Sequence, residues 1–350
     1  MLIPNEDLLS LIGETGVRLN PVSADQVRFT LRALAHSGAS ADSSSQSSRS
    51  LQELVDKQRS ILTAEAKSHL DRVVLFGLDT MLCDAIPRRY RDRDCILVHV
   101  GLLQLLRFYT EMQQVMALLK DEEVEIDVEG VSTQIGLAAS LAGHVILVAA
   151  LDSGHQLISL SPLLGETARQ RSHYGYGAAS MFIVLHELGH HVQGHLNVGY
   201  KSERMAMETR IPESIAPIQQ MEVEADAFAL QCFTPSIRAC VISSVMFAFG
   251  PFAFLETFRG PMNSHHPLTV NRLAALSASL SFPDEPQLQE ATQSIVDAHV
   301  ARFMRLESDR KLSGGDISRR IREHMSLQAA HLVLNKIESW VREHRGTLDF

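Results

Sequence analysis

Four histidines lie close together in one stretch of the chain, HELGHHVQGH at residues 186–195. His186 and His190 are four residues apart, so on a helix both imidazoles lie on one face and can bind one metal ion. Glu187 is displaced around that helix, where its carboxylate can reach a water molecule at the ion. This HExxH spacing predicts a zinc site of the hydrolase type with Glu187 as the general base.

The other two histidines have spacings that do not suit a ligand. His191 directly follows His190 and cannot share its face, so it is predicted to lie at the surface or behind the ligands. His195 is nine residues beyond His186, too far along a straight helix to reach the same ion. We expect it to pack or hydrogen-bond locally.

A catalytic zinc ion needs a third protein ligand and one open position. The segment QMEVEADAFAL carries Glu222 and Asp226 four residues apart, with alanines that would let it approach the first helix at Gly189. Glu222 can serve as the third ligand, and Asp226 can hold the free ring nitrogen of a zinc histidine. Glu224, on a different face of the same segment, is the alternative third ligand.

Composition limits the classes of protein and partner. The 350 residues are 45% hydrophobic and 21% charged, which is typical of a globular protein with a buried core. The net charge of −9 is spread along the chain without a basic stripe, so nucleic acid is not a predicted partner. The four cysteines are scattered and the first residues lack a signal-peptide pattern, so buried thiols and a cytoplasmic location are predicted.

Composition and periodicity divide the chain into four parts. Residues 1–36 are predicted to be an appended element, 37–50 a serine-rich flexible linker, 51–282 the domain that contains the predicted zinc site, and 283–350 a helical C-terminal region. The fold class is predicted to be α+β and predominantly helical.

The predicted elements begin with strands and continue with helices. Strands are expected at 73–80 and 95–101, the second followed by a tight glycine turn and a helix over 102–120. Apolar spacing and the positions of the prolines then predict helices at 177–196, 218–235, 239–257, 268–281, 287–310 and 317–344.

Two apolar stretches raise the question of a membrane. Residues 136–151 contain a histidine and fall short of a span, and 239–255 are interrupted by Gly250 and Pro251. Both are interpreted as buried core segments, with membrane association of 239–255 as the alternative reading.

Four separated motifs resemble the zinc peptidases typified by HtpX, the mitochondrial Oma peptidase and the CAAX prenyl protease. They are DAIP with ILVHVGLL, HELGHHVQGH, EVEAD and HPLTVNRLAAL, in that order between roughly residues 70 and 280. The resemblance implies a gluzincin, that is, a zincin-like core in which a small edge-stranded sheet packs on the HExxH helix. It also implies one zinc ion per chain, with Glu187 as the base and with three ligands: His186, His190 and Glu222.

The resemblance carries three further expectations. The edge strand 95–100 would pair with an extended substrate beside the zinc. His266 and Arg272 would lie near the cleft as catalytic residues, one stabilising an oxyanion or anchoring the surroundings of Asp226; helix capping after Pro267 is the alternative. Residues 120–175 interrupt the spacing typical of that group and would form a lid, a regulatory element or a wall that selects substrates.

The predicted function is therefore a zinc-dependent metalloendopeptidase that acts on protein or peptide substrates. The alternative is a latent or degenerate peptidase-like protein that works as a regulatory or binding module. A more distant likeness of HELGHH to phage-exclusion zinc peptidases of the bacterial cytosol connects either reading with stress or phage defence.

Overall fold

The computed structural model describes most of the middle of the chain and parts of its two ends. Described are residues 1–3, 7, 41–42, 45–81, 83–120, 122–128, 131–153, 157–196, 215–259, 269–279, 286–287, 289–290, 293–298, 301 and 326–344. His266, most of the predicted N-terminal element and most of residues 299–325 lie outside them.

Helices dominate the described residues, and a small mixed sheet lies among them. The helices are α1 (Gln46–Gln58), α2 (Ala64–Leu70), α3 (Val100–Leu119), α4 (Ile135–Ser153), α5 (Glu166–Val192), α6 (Ile215–Gln231), α7 (Pro235–Arg259), α8 (Thr269–Ser279) and α9 (Leu327–His344). The strands are β1 (Leu2–Ile3), β2 (Ala41–Asp42), β3 (Val74–Leu78), β4 (Ala85–Tyr90), β5 (Arg93–His99), β6 (Glu125–Val128) and β7 (Val131–Gln134). The predominantly helical α+β class is confirmed.

The largest sheet has the order β3–β5–β4, with β3 parallel and β4 antiparallel to the central β5. The prediction that strand 95–100 forms an edge is therefore wrong. The preceding segment, DAIPRRY, contains a proline and two arginines and did not suggest a strand, yet it forms β4 and covers that side of β5. Proline and charged residues are tolerated on an edge strand, which is the place that β4 occupies.

Both faces of this sheet are buried. Ile96 and Val98 of β5 belong to the main helical core, whereas Cys95 and Leu97 belong to a smaller apolar cluster on the opposite face. That smaller cluster also contains Ile3, Phe76, Leu78 and Tyr90. The sheet therefore forms a layer between α5 and the first residues of the chain.

The passage from β5 to α3 is direct and contains no glycine turn. The strand ends at His99, and the helix begins at Val100. Gly101, predicted to form the turn, lies in the first turn of α3 and donates its N–H to the carbonyl of Thr80 at 2.8 Å.

Helix α1 begins inside the segment predicted to be a flexible linker. Ser45 caps it by accepting the N–H of Ser48, and the buried Ser48 hydroxyl in turn accepts the N–H of Gly77 at 3.0 Å. A Cβ at Gly77 would lie 2.4 Å from the backbone of Ser47, so the helix can approach the sheet only because this residue is glycine. Ser45 and Ser48, two of the serines that indicated a linker, thus help to form α1 and to hold it against the sheet.

The interruption at 120–175 is structured where it is described. It comprises the antiparallel hairpin β6–β7, helix α4 and the beginning of α5 at Glu166. Helix α4 packs against α3 and α9, and it corresponds to the first of the two apolar stretches. The second stretch lies in α7, which continues through Pro251. No helix in the described part of the chain is both long and apolar enough to cross a membrane.

Candidate metal centre

Helix α5 carries the HExxH residues into the core. Its second half buries an apolar set that contacts the neighbouring helices, namely Ala178, Ala179, Met181, Phe182, Val184, Leu185 and Leu188. The same burial extends to His186, Glu187 and His190. The Nε2 atoms of the two histidines lie 3.2 Å apart, as expected from side chains one helical turn apart.

Helix α6 lies against this turn of α5 at a glycine. A Cβ on Gly189 would meet Ala225 Cα and Phe228 Cδ1, each at 3.1 Å. The close approach predicted from Gly189 and the alanines of α6 is thus present. It brings the carboxylate of Glu222 to the two imidazoles.

Three side chains converge on one point between α5 and α6. Glu222 Oε2 lies 3.3 Å from His186 Nε2, and Glu222 Oε1 lies 3.6 Å from His190 Nε2. All three side chains are buried, and one ligand atom from each lies within 4.8 Å of the others. Two imidazole nitrogens and one carboxylate form a donor set suited to zinc.

Glu224, the alternative third ligand, lies elsewhere. Its Oε2 is 3.2 Å from His195 Nε2, and its side chain is 44% exposed. The geometry therefore favours Glu222 as the carboxylate at the metal position.

A buried carboxylate holds His186 on the side away from the convergence point. Asp226 Oδ1 lies 2.8 Å from His186 Nδ1, and Asp226 itself is fully buried. Arg272, on α8, donates Nε–H to Oδ2 at 2.7 Å and Nη2–H to Oδ1 at 2.6 Å. Of the two roles predicted for Arg272, its contacts match the anchoring of Asp226.

His190 has a different partner on its outer side. Its Nδ1 lies 2.9 Å from Nδ1 of His195, a residue that is also buried. The predicted helix continued to residue 196, but α5 ends at Val192, and Gly194 has a φ of 74°. The chain turns back at this glycine, which is the sequence signal that a straight-helix reading overlooked.

The side chain of His191 is buried, with 2% of its surface exposed. Its Nε2 lies 2.9 Å from the carbonyl oxygen of Cys95 on β5, so it connects α5 to the sheet. This position matches neither predicted location, because the side chain is not at the surface and bonds to β5 rather than to a proposed ligand.

Carboxylates set the charge of the convergence point. Burial alone would lower the pKa of His186, but Asp226 and Glu222 raise it to about 10. Burial would raise the pKa of Asp226, but Arg272 and His186 hold it below its ordinary value. The His186–Asp226–Arg272 group is therefore fully charged at neutral pH in the metal-free protein.

Glu187 has the environment of a proton-transfer group. Burial raises its pKa to about 8, with Glu222 and Asp84 adding to the increase and His186 opposing it. Asp84 directly precedes β4, so Glu187 lies near the beginning of the edge strand. Sequence reasoning did not identify Asp84 as a neighbour of this site, because the contact depends on the packing of α5 against β4.

A family model described as Peptidase U49 matches residues 173–292 of the chain. The matched range contains the HExxH turn, Glu222, Asp226 and Arg272, whereas the β3–β5–β4 sheet lies before it. This similarity supports a peptidase function and leaves the resemblance to HtpX, Oma and the CAAX protease a prediction. No curated protein and no solved structure matches the chain.

Proposed function

We propose that the protein is a zinc-dependent endopeptidase. The observation that carries this proposal is the convergence of His186, His190 and Glu222, with Glu187 one residue from the first ligand. Two histidines and one glutamate are a ligand set of catalytic zinc sites, which keep one position open. A purely structural site would have no use for Glu187, and the match to a peptidase family supports the reaction type.

A zinc ion held by these three side chains would supply a Lewis acid that polarises the scissile carbonyl and activates a water molecule. The Glu187 carboxylate takes a proton from that water and delivers it to the leaving amine nitrogen. Burial raises the pKa of Glu187 to about 8 in the metal-free protein. A bound zinc ion would lower it again and so favour the carboxylate that takes the proton.

We place the proposed substrate position at β4 rather than at β5. β5 is paired on both sides, whereas β4 lies at an edge among the strands that the structure describes. It begins directly after Asp84, one of the groups that raise the pKa of Glu187. An extended peptide that adds to β4 would lie along α5 at the zinc position. Backbone pairing of this kind accepts many sequences, which agrees with protein or peptide substrates.

The register of β4 limits where such a peptide can pair. The N–H of His99 donates to Asp84 O at 3.1 Å, so Asp84 and every second residue after it face β5. Ala85, Pro87 and Arg89 therefore direct their backbone groups away from β5. Pro87 has no N–H, and its carbonyl accepts Nη1–H of Arg88 at 2.9 Å. Ala85 is then the main pairing residue near Glu187, and the proposed contact is short.

Comparison of protein termini in cells that express the wild type or Glu187→Gln tests the proposal. Glutamine keeps the shape of the side chain but cannot take the proton, so new termini should appear with the wild type alone. The zinc content of the two purified proteins should be equal, because Glu187 is not a ligand. The same new termini in both cultures would show that Glu187 is not the base.

A further inference from the structure

The end of α5 has the hydrogen bonds of a Schellman motif. Gly194 N–H donates to His191 O at 3.2 Å, and His195 N–H donates to His190 O at 3.0 Å. The φ of 74° at Gly194 is the left-handed conformation that this helix ending requires and that glycine adopts without strain. In this motif the last residue usually contacts the residue five positions earlier through apolar side chains. Here the two side chains in those positions are histidines.

The hydrogen bond between His190 and His195 has a defined direction. His190 presents Nε2 to Glu222 and His186, so its proton is on Nδ1 when Nε2 binds a metal ion. Nδ1 of His195, 2.9 Å away, must then accept that proton's hydrogen bond, and the proton of His195 is on Nε2. Glu224 Oε2, 3.2 Å from this Nε2, accepts it and so fixes the tautomer.

Glu224 is itself held in place. Its second carboxylate oxygen accepts Nε2–H of Gln220 at 3.0 Å, one turn earlier on α6. Its backbone carbonyl accepts Nε2–H of Gln193, in the turn after α5, at 3.4 Å. The turn after α5 is thus connected to α6 by two hydrogen bonds to Glu224, one from Gln193 and one from His195.

We infer that His195 is a positioning residue, fixed by the Schellman turn at Gly194 and by Glu224, that orients His190 as a zinc ligand. The inference rests on the proposed zinc site and gives a role there to a residue that spacing had excluded only as a direct ligand. It differs from the His186 side, where the acceptor is a carboxylate: here a neutral imidazole accepts the bond, and the carboxylate lies one step farther from the metal. Partners of this kind typically contribute about 10- to 100-fold to metal affinity.

The test is the zinc affinity of His195→Ala and His195→Asn, measured by competition with a chelator. Alanine removes the acceptor, and we expect zinc to bind about 10- to 100-fold more weakly. Asparagine places Oδ1 where Nδ1 of histidine was, so affinity should return to within about threefold of the wild type. His191→Ala and His191→Asn are the matched controls, because His191 bonds to the sheet rather than to a ligand; neither should change zinc affinity.

A spectroscopic measurement complements the affinities. Cobalt bound in place of zinc reports ligand geometry through its visible absorption, so His195→Ala should alter the spectrum and His195→Asn should restore it. If His195→Ala does not fold, Glu224→Ala takes its place, since this side chain is partly exposed; it should weaken zinc binding by about two- to fivefold, less than removal of a direct partner.

Unchanged zinc affinity and an unchanged cobalt spectrum in His195→Ala, or in Glu224→Ala where that variant replaces it, would overturn the inference. Equal weakening by the alanine and asparagine variants would also overturn it, because a lost packing contact would then explain the effect. A wild-type protein that binds no zinc would instead refute the proposed function, so the two failures are distinguishable.

Discussion

The two proposed zinc histidines lie on adjacent turns of one helix, but their Nδ1 atoms have different hydrogen-bond partners. His186 contacts Asp226, which is fully buried and bound by two bonds from Arg272. His190 contacts His195, which leads to the partly exposed Glu224. Asp226 and Arg272 form an ionic support for His186, and with His186 they come from three different helices. His195 is a neutral support for His190, lies only five residues after it, and is held in turn by Glu224. This difference implies that the two supports contribute unequally to folding and to metal binding.

The ionic support should matter more for stability because its charges are buried. Breaking a buried ion pair leaves the remaining charge without compensation, whereas an exposed carboxylate is screened by water. The neutral support should affect metal binding with little effect on the fold.

Asp226→Ala should produce the largest loss on the His186 side. It removes the carboxylate that holds the largely buried guanidinium of Arg272, and we expect the free energy of unfolding of the metal-free protein to fall by about 3–5 kcal/mol. Zinc affinity of the folded protein should fall about 100-fold, at the upper end of the range for such partners. Denaturant unfolding and chelator competition measure the two quantities.

Glu224→Ala is the matched control on the same helix, because it also deletes a carboxylate that lies behind a histidine. Its partial exposure limits the expected loss of unfolding free energy to less than about 1 kcal/mol. Equal destabilisation by the two variants would contradict the proposed difference between the supports.

Arg272→Lys should have a smaller effect than Asp226→Ala. Lysine retains the positive charge but cannot form the two parallel bonds to Asp226, so we expect a loss of about 1–2 kcal/mol in unfolding free energy. If Arg272 only anchors Asp226, peptide cleavage per bound zinc should stay close to the wild-type rate. A large loss of turnover with full zinc occupancy would instead assign Arg272 a role at the reacting atoms.

Proton release should also distinguish the two sides. His186, with a pKa raised to about 10, is protonated at pH 7 in the metal-free protein and must lose that proton to bind zinc. Glu187, with a pKa raised to about 8, adds to this release near neutral pH. Zinc affinity should therefore rise by about tenfold or more per pH unit between pH 7 and 9, with at least one proton released per ion. Burial lowers the pKa of His195, so the His190 side should release none from that residue. Calorimetry in buffers of different ionisation enthalpy counts the protons.

The same pKa shift links pH to the stability of the metal-free protein. The folded-state pKa of His186 lies above its ordinary value of 6.5, so its contribution is fully present below pH 6.5 and is lost as pH rises through about 10. Asp226→Ala should flatten this decline, because it removes one of the two carboxylates that raise the pKa. Glu224→Ala should leave the slope unchanged.

Sequence spacing was sufficient for the centre of the site. The i, i+4 spacing placed His186 with His190 and Glu222 with Asp226, and Gly189 with the alanines of α6 predicted how closely the helices approach. These relations follow from the geometry of regular helices, so they need no knowledge of the tertiary fold. The long apolar helices were found for the same reason, although α5 begins earlier and ends sooner than predicted.

Interruptions of regular structure were harder to predict. The turn at Gly194 reverses the chain and brings His195 back to His190. The local hydrogen bond expected for His195 is confirmed, but the assumption of a straight helix did not predict its partner. The edge strand β4 was missed because proline and arginines obscure its alternation, and β5 was then taken for the edge. The serine residues of α1 gave no apolar pattern, because they pack through small size and hydrogen bonds at Gly77.

Zinc content per chain in four purified proteins tests the central claim most directly. The wild type and Glu187→Gln should each bind one zinc ion, because Glu187 serves as the base and not as a ligand. His190→Ala and Glu222→Ala should bind little or none under the same conditions, because each removes one of three ligands. Absence of zinc from the wild type, or an equal amount in all four proteins, would contradict the proposed site.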